Sequence, residues 1–76
     1  MDNREIFERR LAVTERRISE LEQHVARQRN VVAWLEASGR GSSETAEIAR
    51  ERLLIMERNV GRETAERRLL RRQLGR

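Results

Sequence analysis

Along the first half of the chain, Phe7, Leu11, Thr14, Ile18, Leu21, Val25, Gln28, Val32 and Leu35 follow one another at alternating intervals of four and three. That spacing returns a side chain to one face of a helix every two turns, so the stretch predicts a long helix with a heptad stripe. Leu11, Ile18, Val25 and Val32 take the a positions; Phe7, Thr14, Leu21, Gln28 and Leu35 take d. The pattern stops at Ser38-Gly39-Arg40-Gly41-Ser42-Ser43 and resumes with Ala46, Ala49, Leu53, Met56, Val60, Leu70 and Leu74. The expected elements are a helix over about residues 3–38, a turn at 39–42 and a helix over about 43–74.

Local chemistry supports these bounds. Asp2 followed by Glu5 fits a capping box at the first helix start. A glycine at 39 suits the left-handed residue that closes a helix, and Ser42 or Ser43 suits the next N-cap, with Glu44 and Glu47 at the positive end of the dipole. So short a turn makes the helices antiparallel neighbours and pairs positions whose numbers sum to about 81. Leu35 then meets Ala46, Val32 Ala49, Gln28 Leu53, Val25 Met56, Leu21 Val60, Leu11 Leu70 and Phe7 Leu74. Between these layers Ile18 faces Glu63 and Thr14 faces Arg67, with Glu63 and Arg67 spaced for a mutual ion pair. The expected fold is all-α: an antiparallel two-helix coiled-coil hairpin of one domain that dimerises to a four-helix bundle.

The expectation of a dimer comes from a second stripe. Ile6, Val13 and Trp34 occupy c in the first helix, Ile48, Ile55 and Leu69 occupy c in the second, and Val31 sits on the adjoining g. In an antiparallel pair the g edges face each other, so these seven residues share one broad side of the hairpin, interrupted by Glu20, Arg27 and Arg62. An apolar side of this kind reads as an association face. Ala12, Ser19, Ala26 and Ala33 at b form an alternative small-residue stripe.

Composition narrows the function. With 39% charged residues, no proline, one tryptophan and one phenylalanine, the chain belongs with long helices. There is no cysteine, and no apolar run nears the ~20 residues that span a bilayer; Met1-Asp2-Asn3-Arg4 leads directly into helix, so the expectation is a soluble cytoplasmic protein. His24 has no second imidazole or thiol to share a metal with and reads as a flank residue. Glu15, Glu22 and Glu36 alternate with arginines on an exposed edge and read as salt-bridging groups, not as paired catalytic carboxylates. Without a nucleophile–base pair, a phosphate loop or a concave pocket, the chain is expected to be neither an enzyme nor a holder of metal or cofactor.

The net charge of +4 comes from 17 arginines against 13 acids, with no lysine at all. After Glu66 the charge is all positive, and Arg67, Arg68, Arg71 and Arg72 are candidate phosphate-binding residues. The same cations also complement a helix C-terminus and pair with Glu5 and Glu8 of the neighbouring helix.

The segment His24-Val25-Ala26-Arg27-Gln28-Arg29, then Leu35-Glu36, the glycine turn, Thr45-Ala46 and Leu53-Leu54 resembles a family of short bacterial helical-hairpin proteins with an H-[IV]-x-R-Q-R … L-E … G … T-A … L-L pattern. It covers roughly residues 20 to 70 and departs at the turn, where Gly41-Ser42-Ser43 precedes Thr45 in place of Asp-Thr. The resemblance implies the hairpin and carries no established activity. In architecture the chain is also similar to Rop-type hairpins, which dimerise into four-helix bundles and contact RNA. The expected function is that of a small noncatalytic, self-associating interaction or adaptor protein, with a homodimer or another protein as partner. The alternative is a Rop-like RNA or DNA binder using the C-terminal arginines.

Overall fold

The computed structural model describes residues 3–76. Two helices, α1 (Asn3–Ala37) and α2 (Glu44–Gln73), fold back on each other as an all-α hairpin. The result is a rod of 57 × 18 × 14 Å. Asp2 of the expected capping box lies outside the described residues, and Glu5 pairs with Arg9 one turn on, at 2.9 Å.

Gly39 closes α1 with φ +76. Its amide donates to the Glu36 carbonyl at 3.1 Å, and the Arg40 amide donates to the Leu35 carbonyl at 2.8 Å. This pair of bonds is the Schellman arrangement, which uses carbonyls the helix leaves unpaired. Ser43 caps α2: its hydroxyl oxygen accepts from the Ala46 amide at 3.2 Å and donates to the Arg40 carbonyl at 2.6 Å. No basic residue stands in the last turn of α1, and Arg50 of α2 supplies one from across the turn. Its guanidinium donates to the Gly41 carbonyl at 2.7 Å and lies 3.7 Å from Glu36. A second Schellman closure ends α2, with Gly75 at φ +76 and Arg76 donating to the Arg71 carbonyl at 2.8 Å.

The interior is a single seam. Leu11, Thr14, Ile18, Val25, Val32 and Leu35 of α1 are buried, as are Ala46, Ala49, Leu70 and Leu74 of the second half. Near the turn Val32 and Leu35 pack on Ala46 and Ala49 with Leu53 against them; at the far end Leu11 packs on Leu70 and Leu74 with Phe7. The small alanines bring the backbones close enough for the Gln28 amide to donate to the Ala49 carbonyl at 2.9 Å. A polar residue therefore fits the seam by bonding to the opposite main chain, whereas the stripe alone set it against Leu53. The central polar layer is also arranged differently from expectation. Glu63 reaches across the hairpin to Arg17 at 3.7 Å and not along its own helix to Arg67.

Two glycines in this frame have opposite roles. Gly61 lies inside α2 with nothing within 4 Å of a would-be Cβ, while Gly39 holds a left-handed conformation. Gly61→Ala is expected to raise the unfolding free energy by about 0.5–1 kcal/mol through helix propensity, and Gly39→Ala to lower it by about 1–2 kcal/mol through strain. Urea unfolding of both variants at one protein concentration checks the two signs.

Candidate interaction surfaces

Because each helix gives one stripe to the seam, two long sides of the hairpin remain open. Their edges are held by ion pairs. On the side carrying the g positions, Arg10 bonds to Glu66 and Arg17 pairs with Glu63. On the opposite, e side, Arg71 pairs with Glu15 at 3.0 Å, Arg29 with Glu57 at 2.9 Å and Arg50 with Glu36 at 3.7 Å. Glu15 and Glu36 are thus spent on arginines, and exposed pairs of this kind contribute roughly 0.2–1 kcal/mol each.

The g side carries Ile6, Val13, Val31, Trp34, Ile48, Ile55 and Leu69, all exposed, from 43% at Ile6 to 59% at Trp34. They fall into two groups. Near the turn Val31 and Ile48 line one shallow trough with Thr45 and Arg52, flanked by Trp34 and Ile55. The guanidinium of Arg40 lies over the Trp34 ring, 5.7 Å from its centroid, a cation–π contact that tethers the turn to this group. At the far end Val13 borders an open trough of about 430 Å³ with Arg9, Arg17 and Arg62, and Ile6 and Leu69 are exposed at other c positions of the same stripe. A polar belt of Arg17, Glu20, His24, Asn59 and Arg62 separates the groups. Open troughs therefore exist where the sequence pattern implied no concavity; the far-end and central ones are lined by arginine, glutamate and single apolar groups, and the one near the turn by Val31, Ile48 and Ala49 with polar neighbours. His24 is exposed and its Nδ1 accepts from Arg27 at 3.0 Å. Among the described residues no three of His, Cys, Asp and Glu come together as a metal-holding group, and no helix is long and apolar enough to cross a membrane.

The e side has a different character. Leu54, at b and next to Ile55 in sequence, is exposed there, at 56%, outside the seven residues of the c and g stripe. Toward the chain end, Thr64, Arg67, Arg68, Arg71, Arg72 and Arg76 line a trough of about 400 Å³ with no acid in its walls. The structure brings together all four arginines singled out by sequence and adds Arg76. That addition arises from Gly75, whose left-handed turn folds the last residue back so that Arg76 meets both oxygens of Glu8, at 2.8 and 3.0 Å. The glycine next to a terminal arginine was the available signal. Arg71 and Arg76 are paired with acids, whereas Arg67, Arg68 and Arg72 make no ion pair among the described residues.

No protein family, curated protein or solved structure matches the chain.

The unequal pairing of these arginines separates stability from surface charge. Replacing Arg68 and Arg72 together by alanine is expected to change the unfolding free energy by less than about 0.5 kcal/mol. Arg76→Ala, which leaves Glu8 to Arg4 at 3.9 Å, is expected to lower it by about 0.5–1 kcal/mol. Both are read from urea denaturation at a fixed protein concentration.

Proposed function

We propose that the protein is a small noncatalytic helical interaction module that self-associates through the side bearing Trp34, Ile48 and Ile55. The observation that carries this reading is the set of large apolar side chains left outside on one side, with Ile6, Val13, Val31, Trp34, Ile48, Ile55 and Leu69 all exposed, on a rod whose total surface is large for its mass. The molecule exposes 5952 Å², where a compact 9.0 kDa monomer exposes about 4,850 Å². The elongated shape thus gives about 1,100 Å² more surface, polar and apolar together, than a compact chain of this mass, room enough for the ~800 Å² that each partner contributes to a standard interface. Large aliphatic side chains and one tryptophan concentrate on one side; each is 43–59% exposed, so covering what remains contributes about half of the roughly 1.5–3 kcal/mol that full burial gives. A homodimer uses that side twice and forms a four-helix bundle. Such a module acts by presenting its outer surfaces, the arginine trough among them, as an adaptor does.

The test is a charge placed on the face. Wild-type protein is expected to sediment at twice its 9.0 kDa mass, and Ile55→Glu to shift it toward monomer while Trp34 emission moves to the red. Leu54→Glu, on the opposite side, is the control and should do less. Unchanged mass and emission for Ile55→Glu, with dissociation by Leu54→Glu, would overturn the choice of face and favour the stripe through Ala12, Ala26 and Ala33.

A second reading rests on the arginine trough. Five guanidinium groups without a lining acid suit the phosphates of a nucleic-acid backbone, held without base stacking because the trough has no aromatic wall. Heparin retention and binding to mixed RNA, measured across a salt series, distinguish the readings. A phosphate binder loses affinity steeply as salt rises and loses it further in the Arg68→Ala, Arg72→Ala variant; an apolar association does neither.

A further inference from the structure

We infer that the arginine trough seats the backbone of a nucleic-acid duplex on Arg67, Arg68 and Arg72, and that Glu8 and Glu15 restrain the site by holding its other two guanidinium groups. This rests on the second reading above and adds to it the form of the nucleic acid, the residues that grip it and the residues that limit the grip. Self-association through the opposite side is independent of it.

Arg67, Arg68, Arg71 and Arg72 come from the last two turns of α2, and the turn at Gly75 brings Arg76 in beside them. What already holds these five cations differs. Arg71 lies 3.0 Å from Glu15, and Arg76 lies 2.8 Å from Glu8. Arg67, Arg68 and Arg72 make no side-chain hydrogen bond or ion pair among the described residues. Arg67 is the most constrained of the three, being half-buried where the other two are exposed. No buried side-chain nitrogen or oxygen among the described residues lacks a partner, so the unpaired guanidinium of Arg67 reaches solvent and the burial falls on its stem. A cation whose stem is already packed loses less rotamer freedom when it grips a ligand.

Charge density selects the occupant. Arg67 to Arg72 covers about 7.5 Å of helix axis, at ~1.5 Å per residue. Over that length a duplex carries about four phosphates and either of its strands about two. A duplex laid along the rod therefore offers a phosphate to each of the three open guanidinium forks, and a single strand falls short. A flexible strand is held instead by stacking on aromatic rings, and the two rings of this chain lie elsewhere, Phe7 against the far-end core and Trp34 beside the turn. A membrane surface calls for apolar side chains beside the cations; the trough walls hold none, and the adjacent Leu70 and Leu74 are buried. The restraint comes from α1. Five arginines against the two carboxylates that hold Arg71 and Arg76 leave the site a net charge of +3. With Glu8 and Glu15 neutral, those two arginines turn to phosphate as well, and two charges that repel the backbone are gone.

The test uses the full chain with three probes across a salt series: a fluorescent mixed-sequence DNA duplex, one of its strands, and vesicles containing anionic phospholipid. Anisotropy reads the first two and co-sedimentation the third, and circular dichroism checks the helix content of every variant. For the duplex, log affinity against log salt should have a slope of about −2.7, the value for three phosphates. The slope should fall to about −0.9 in Arg68→Ala, Arg72→Ala and steepen to about −4.5 in Glu8→Gln, Glu15→Gln, with tighter binding at every salt concentration. The strand should bind at least about fivefold more weakly than the duplex, and the vesicles should not carry the protein down. Duplex and strand bound alike, or a slope unmoved by the two acid-to-amide changes, overturns the inference and leaves a phosphate-binding trough standing. Binding unchanged in Arg68→Ala, Arg72→Ala, a preference for vesicles, or no binding to any probe overturns both the inference and the second reading.

Discussion

Two helices side by side share one line of contact, and that geometric limit governs everything else about this molecule. Each helix can hide a stripe about two residues wide per heptad; the rest of its circumference faces outward. The buried set is correspondingly short, and it contains Thr14 and two alanines alongside the larger aliphatic groups. A seam this narrow cannot absorb Trp34, Ile48, Ile55 or Leu69, so their exposure is a consequence of the architecture and not of loose packing. The same limit explains the rod shape. With a radius of gyration of 16.9 Å, against about 11 Å for a compact chain of this length, the hairpin has surface out of proportion to its mass.

Much of the fold was legible because helical periodicity and turn chemistry point the same way. The nine stripe positions from Phe7 to Leu35 are all buried or half-buried, since a stripe repeated over so many turns leaves one way to hide it. The glycine turn was equally readable: Gly39 is the residue that can take φ +76 at no steric cost, and Ser43 has the side chain to cap α2. Interactions that depend on reach and backbone approach escaped the pattern. Gln28 finds the Ala49 carbonyl only because alanine brings α2 close, and Glu63 chooses Arg17 because a side chain across the seam is as near as one a turn away. Heptad letters assign directions to side chains; they do not say how far an arginine extends.

For the exposed residues, legibility was of another kind. Spacing placed the apolar stripe on one side but gave the arginine run no side and set Arg67 on the seam; the structure puts Val31 beside Ile48, and Arg67 beside Arg71 and Arg72, in separate troughs. Arg76 extends the arginine surface, and Leu54 adds an exposed apolar group on the e side, away from the stripe. The first was hidden by its position beyond a helix end, the second by lying one residue from a more conspicuous isoleucine. One side of the rod is thus apolar at both ends with a charged waist, and the other is cationic near the chain end. A molecule so divided can hold a partner on one side while the other stays in contact with solvent and ions.

The two halves of the seam differ in how far apart their members lie along the chain. Around Val32, Leu35, Ala46 and Ala49 the contacting residues are close neighbours across the turn, whereas Leu11 with Leu70, and Glu8 with Arg76, join positions separated by most of the sequence. Closing a long loop loses more chain entropy than closing a short one, so contacts nearest the turn form at the least entropic expense. Chain entropy therefore favours closing the layers in order from Gly39 outward, since each formed layer shortens the loop that the next must close. The contact of Arg76 with both oxygens of Glu8 spans the longest of these loops and so carries the largest closure cost unless the layers before it are already in place.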